Sequence, residues 1–146
     1  MSIYEHLAEQ MLSSMDTHRH MPPEPVSSTV RGEMAVLRFL GVSGGSLSAG
    51  AIASQLSMTT SRIAAVLNSL EKKEMILRSP DPCDKRRVLV TLTEKGEQYR
   101  LKRRNEAKTH LSYLLEQLGE EDAATFVRLV SRLHNVHSNS LPDKEV

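Results

Sequence analysis

Apolar residues near the start of the chain recur at helical spacing. Ile3, Leu7, Met11 and Met15 follow one another every four residues, with Ala8 and Leu12 beside them. This stripe predicts an amphipathic helix from Ser2 to about Asp16. Met21-Pro22-Pro23-Glu24-Pro25 breaks it. A second helical pattern begins at Ser27 or Ser28 and runs through Val30, Met34, Leu37 and Leu40; Gly41 to Ser46 then reads as a turn. Ser48 is placed to cap a short helix through Ile52, Ala53 and Leu56, and Ser57-Met58 forms a tight link. Thr59 or Thr60 caps the next helix, to about Lys73. Its apolar stripe is Ile63, Val66, Leu67 and Leu70, and its opposite face carries Thr60, Ser61, Arg62, Ser69 and Lys72. Two short helices joined by a tight turn, the second polar and basic on its free face, are the signature of a helix-turn-helix.

Met75 to Arg78 predicts a short strand, Ser79 to Asp84 a turn, and Arg87 to Leu92 a second strand rich in β-branched residues. Together they form a basic hairpin, a wing, with Lys85, Arg86 and Arg87 at its tip. Thr93 caps a long helix, Glu94 to Leu118, that is polar nearly all round until Leu111, Leu114, Leu115 and Leu118. Such a helix crosses solvent and docks at its far end. Gly119 ends it. A last helix, about Glu120 to His137, carries Phe126, Val127, Val130, Leu133 and Val136, and the tail after Ser138 is expected to fray. The expected fold is mainly α with a small β-hairpin: a winged helix-turn-helix core flanked by N- and C-terminal dimerisation helices. Its segments are 1–26 (first helix and Pro-rich link), 27–93 (winged core), 94–138 (connecting and last helices) and 139–146 (tail). A chain this short has little to cover the apolar faces of its terminal helices, so a second copy is the economical cover.

Composition narrows the function. Only 3% of the 146 residues are aromatic and none is Trp, so base stacking on single-stranded nucleic acid is disfavoured. A single cysteine excludes an internal disulfide framework and a multi-Cys zinc site. No apolar run approaches the ~18–20 residues of a membrane span, and no signal-peptide pattern opens the sequence, so a cytoplasmic protein is expected. The net charge of +1 conceals an asymmetry. From Thr59 to Arg104 there are twelve Lys and Arg against six Asp and Glu, a surplus of six, while the rest of the chain is acidic by five. A basic third on a neutral body is the footprint of a surface that faces a polyanion.

The stretch Leu47 to Gly96 resembles the winged helix-turn-helix of the MarR (multiple antibiotic resistance regulator) family of bacterial transcription regulators. The strongest match is Asp84-Lys85-Arg86-Arg87-Val88-Leu89-Val90-Thr91-Leu92-Thr93-Glu94-Lys95-Gly96, which fits the family's wing pattern of D-x-R, then V-x-L-T, then a glycine. Leu70-Glu71-Lys72-Lys73 matches the run that closes the family's reading helix. The resemblance implies a homodimeric repressor or activator on double-stranded DNA, joined through the first and last two helices, with repression as the expected mode and a phenolic or aromatic acid as the class of effector. It places Arg86 in the minor groove, oriented by Asp84, where a guanidinium suits a narrow electronegative groove. Thr60, Ser61 and Arg62 enter the major groove, and Lys72, Lys85 and Arg87 meet phosphates. Two departures stand out. Ala64 and Ala65 replace a frequent Thr and Arg, and Glu74 replaces the usual Gly after the Leu-Glu-Lys-Lys run. A glutamate in the left-handed conformation costs roughly 1 kcal/mol.

The remaining candidates have bland readings. Cys83 in the wing loop, beside the acids Asp81 and Asp84, reads as an incidental loop cysteine rather than as a redox switch next to Arg86. His6, His18, His20, His110, His134 and His137 lack a Cys or dense acidic partner at zinc-binding spacing and read as surface residues. The methionines of the first helix read as core or interface rather than as the lining of an effector pocket. No G-x-S-x-G, phosphate-binding Gly loop or H-E-x-x-H points to an enzyme, and no cofactor is implied. Two alternatives to the DNA-binding regulator are a winged-helix module that serves only protein–protein assembly, and a regulator that senses metal or redox state.

Overall fold

The structure, a computed structural model, describes residues 2–16 and 28–140. The elements are α1 (Ile3–Asp16), α2 (Ser28–Ser43), β1 (Leu47–Ser48), α3 (Ala49–Gln55), α4 (Thr60–Lys72), β2 (Ile76–Pro80), β3 (Val88–Leu92), α5 (Glu94–Leu118) and α6 (Glu120–Ser140). The Pro-rich break with His18, His20 and Met21, and the tail beyond residue 140, lie outside the described residues. No described helix is long and apolar enough to cross a membrane. The chain divides into two compact units. One holds α2 to β3 and α5 as far as Arg103; the other holds α1, α5 from Arg104, and α6.

The first unit has the aliphatic core that its composition requires. Val36, Leu37 and Leu40 of α2 and Ile52 of α3 are buried with Ile63, Val66, Leu67 and Leu70, the predicted stripe of α4, and with Ile76 and Val90 of the sheet. Burial of each large aliphatic side chain contributes roughly 1.5–3 kcal/mol. Hydroxyl caps start three helices. Ser48 Oγ accepts the Ala51 N–H at 3.1 Å, Thr59 Oγ1 the Arg62 N–H at 3.2 Å, and Thr93 Oγ1 the Gly96 N–H at 3.0 Å.

Four expectations are corrected. The sheet has three antiparallel strands in the order β1-β3-β2, not two, because Leu47–Ser48 pairs with β3 in the register Leu47↔Val90. Two residues are too short a run to show a period of two. β2 continues through Ser79 and Pro80, which sequence assigned to the turn; Pro80 pairs with Val88 at the sheet edge, where a residue without an N–H is tolerated. α2 continues through Gly41 to Ser43, and the chain leaves it at Gly44 and Gly45, both at positive φ. α6 runs to Ser140, beyond the expected end at His137.

Glu74 does occupy the left-handed region, at φ 59°. The turn is held around it: its carbonyl accepts the Thr93 hydroxyl at 2.7 Å, and Met75 O accepts the Thr93 N–H at 3.1 Å. The Glu74 side chain is 80% exposed, and its 3.2 Å pair with Lys95 is a surface contact of little worth. Glu74→Gly is therefore expected to stabilise the unit by about 0.5–1 kcal/mol, the relief of strain exceeding the added freedom of the unfolded chain. A thermal melt checks it, and an unchanged or lower Tm contradicts it.

The second unit has a smaller core: Leu7 and Ala8 of α1, Leu115 of α5, and Ala123 and Val127 of α6. Arg104 ties α5 to α1, donating to Glu9 at 2.6 Å and to Ser13 at 3.1 Å. The stripe predicted for α6 is split. Val127 is buried and Val130 half-buried, but Phe126, Leu133 and Val136 are exposed together with Leu129. Leu133 is 71% exposed, and on α5 Tyr113, Leu114 and Leu118 are exposed as well.

Candidate nucleic-acid interface

α3, a tight turn and α4 form the helix-turn-helix. Ser57 takes a positive φ of 53° in that turn, and the Met58 N–H donates to the Ala53 carbonyl at 2.9 Å. With Ile63, Val66, Leu67 and Leu70 facing the core, α4 exposes Thr60, Ser61, Arg62, Ala64, Ala65, Asn68 and Lys72. Thr60, Ser61 and Arg62 form its first turn, at the positive end of the helix, where backbone N–H groups and hydroxyls suit an anion. The two alanines leave a short stretch of this face without polar reach.

Ser69 sits elsewhere. It is half-buried, and its hydroxyl donates to Glu33 Oε1 at 2.5 Å, so the structure does not bring it to the exposed face. Sequence placed it there because it counted helix position without the carboxylate of α2.

The wing tip is a β-turn. The Arg87 N–H donates to the Asp84 carbonyl at 3.0 Å, which sets Lys85 and Arg86 at its two corners. Asp84 Oδ1 accepts the backbone N–H of Arg86 at 3.0 Å. The contact between Asp84 and Arg86 thus runs through the main chain and leaves the guanidinium out of it. Arg87 differs: its guanidinium donates to Ser48 Oγ at 3.2 Å and ties the wing to the cap of α3. Cys83 is exposed, and its N–H donates to Asp81 Oδ1 at 2.8 Å.

Ion pairing sorts the basic segment. All six of its acids are engaged: Glu71 by Arg78, Glu74 by Lys95, Glu97 by Arg100, Glu94 by Gln98, and Asp81 and Asp84 by backbone N–H groups of the wing. Lys73 pairs with Glu33 and Arg104 with Glu9. Among the described residues, the side chains of Lys72, Lys85, Arg86 and Lys102 make no hydrogen bond or ion pair, and the first three belong to α4 and the wing. The positive surplus is therefore concentrated on the predicted contact residues.

Two contributors were missed by sequence. Arg78 on β2 donates twice to Glu71 (2.7 and 3.2 Å) and once to Asn68 (2.8 Å), clamping the hairpin to α4. These hydrogen bonds hold the Glu71 carboxyl below the usual glutamate range and raise the guanidinium above its own. Arg100 does the same to Glu97, and Arg104 to Glu9. What these pairs add to stability is present above the ordinary glutamate pKa and is lost as pH falls through the lowered values. The second is Glu33, buried on α2 among Val36, Leu37 and Leu40. Its signal was a carboxylate one helical turn from an apolar stripe.

The MarR family model matches residues 31–88, from α2 to the start of β3. No curated protein matches the sequence at a significant level. Among solved structures, the YusO protein from Bacillus subtilis is 21% identical with a TM-score of 0.61, covering 90% of this chain and 86% of its own. FabT of Streptococcus pneumoniae, solved in complex with DNA, is 20% identical with a TM-score of 0.62, covering 90% and 89%. The PcaV transcriptional regulator from Streptomyces coelicolor is 22% identical with a TM-score of 0.57, covering 92% and 93%. These likenesses are of fold. The family model spans the helix-turn-helix and reaches the wing, and over that stretch the chain is similar to the MarR family, with which these structures agree in fold.

Proposed function

We propose that this protein is a homodimeric repressor of transcription that binds a pseudo-palindromic site on double-stranded DNA in the cytoplasm and releases it when a small-molecule effector binds. One observation carries the proposal: the cations left without a partner on α4 and the wing, Lys72, Lys85 and Arg86, belong to the same two elements as the exposed first turn Thr60–Arg62. The charge of Lys72 and Lys85 serves phosphates, that of Arg86 the minor groove, and the α4 turn serves base edges. FabT, whose fold this chain shares, was solved on DNA, which supports the same use of the winged helix here. The direct test is a salt titration on a duplex. A log affinity that falls steeply with log salt is expected, at close to one unit per phosphate contact. A slope near zero removes the proposal.

Dimerisation through the terminal helices is supported by the stripe Phe126, Leu129, Leu133 and Val136, too apolar to stand in water alone. Leu129→Asp with Leu133→Asp changes exposed positions and should leave the protomer folded. In sedimentation equilibrium the wild type is expected as a dimer and the double variant as a monomer. The variant's affinity for a palindromic duplex should fall about 100-fold or more, as the two half-sites lose their linkage. A monomeric wild type at micromolar concentration contradicts the dimer. Effector control follows the population-shift scheme, in which the ligand favours a dimer state whose reading helices no longer match the half-site spacing. Phenolic and aromatic acids, the class the resemblance implies, are the first compounds to titrate against the DNA complex.

A further inference from the structure

Among the described residues, Glu33 is the only buried charged side chain. Its carboxylate accepts the Ser69 hydroxyl at one oxygen and the Lys73 ammonium, at 2.7 Å, at the other. Both donors lie toward the C-terminal end of α4, one helical turn apart. Gly32, the residue before it, also faces α4: a Cβ there would stand 2.8 Å from Val66 Cγ2 and 4.0 Å from Arg62 Nε. Two successive residues of α2 thus meet α4 at three successive turns. An apolar residue in place of Glu33 would satisfy the core at no desolvation cost, whereas a buried carboxylate with two fixed donors specifies direction. The stripe Ile63, Val66, Leu67 and Leu70 tolerates small slips and rotations; the hydrogen bonds of Glu33 do not.

We propose that Glu33 is a positioning residue that fixes the rotation and axial register of α4, and so determines which side chains of its first turn reach base edges. The proposal rests on the DNA-binding function above and adds a specificity determinant that touches no DNA. It also withdraws Lys73, unlike its neighbour Lys72, from the charge available to phosphates.

The test is a two-residue cycle read as the ratio of affinities for a duplex selected from a random pool and a scrambled duplex of the same composition. Glu33→Gln keeps the shape and the acceptor for Ser69 but turns an amide N–H toward the Lys73 ammonium. Lys73→Met leaves the buried carboxylate with one donor. Each is expected to lower the ratio about tenfold, chiefly through the selected duplex, with both proteins folded by thermal melt. The double variant removes the buried charge together with the ammonium that pairs it, while the Gln carbonyl still accepts from Ser69, and should recover the ratio to within about threefold. Should Glu33→Gln fold poorly, Lys73→Met and Ser69→Ala carry the same expectation. Single variants that keep the ratio within twofold, that weaken both duplexes by the same factor, or whose losses multiply in the double variant overturn the proposal alone. A wild type with no preference for the selected duplex overturns the DNA-binding function, and the role of Glu33 with it.

Discussion

Gly96→Ala is expected to cost the winged-helix unit about 3 kcal/mol and to lower its Tm by more than ten degrees. A Cβ at Gly96 would stand 2.1 Å from the Met75 carbonyl oxygen and 2.8 Å from Leu92 Cδ1. The first contact is with backbone, which cannot rotate away, and the same oxygen already accepts the Thr93 N–H. The start of α5 would have to lift from the turn that joins α4 to β2. The motif glycine is thus a packing requirement between the first turn of α5 and the turn at Met75. Gly50→Ala is the control: a Cβ there meets nothing within 4 Å, and a helical alanine is favoured over glycine. Circular dichroism melts of the two variants decide it, and a Gly96→Ala protein melting within two degrees of wild type contradicts the close approach.

Arg86→Ala is expected to weaken DNA binding about 10- to 100-fold across sequences, equivalent to roughly 1.4–2.8 kcal/mol, while leaving the melt unchanged. The side chain makes no hydrogen bond or ion pair among the described residues, and the wing turn is set by Asp84 through the Arg86 backbone. Removing the guanidinium therefore deletes the proposed DNA contact without touching the fold. The salt slope should become shallower by about 0.9. Arg62→Ala is expected to behave differently, relaxing preference at one base position by about 1–3 kcal/mol. Anisotropy titrations on matched and mismatched duplexes at two salt concentrations separate the two. An Arg86→Ala protein that binds within twofold of wild type contradicts the assignment of the wing tip.

Much of this was legible because it is local. The caps Ser48 and Thr93, the choice of Thr59 or Thr60 for α4, the stripe of α4 and the limits of α5 each follow from a few neighbouring residues, whereas Glu74 drew notice only through the family resemblance. The basic surplus was visible as well, but not its distribution: Arg78 and Lys73 looked as available as Lys85 until Glu71 and Glu33 were seen to hold them. Ser69 was misplaced for the same reason, since its partner lies 36 residues away. β1 was missed because two residues carry no pattern, and its pairing with β3 is a property of the folded unit. The split stripe of α6 shows the limit of periodicity from the other side. Spacing finds the apolar residues, and only the packing of Val127 and Ala123 against α1 tells which remain exposed.

The central claim, a dimer that reads DNA through α4 and the wing, is tested most directly by selecting binders from a random-sequence duplex pool at two salt concentrations and sequencing them. The result expected is an enriched inverted repeat, with half-sites about one helical turn (~34 Å) apart and affinity falling steeply as salt rises. A pool that stays random, with weak binding blind to sequence, would contradict it.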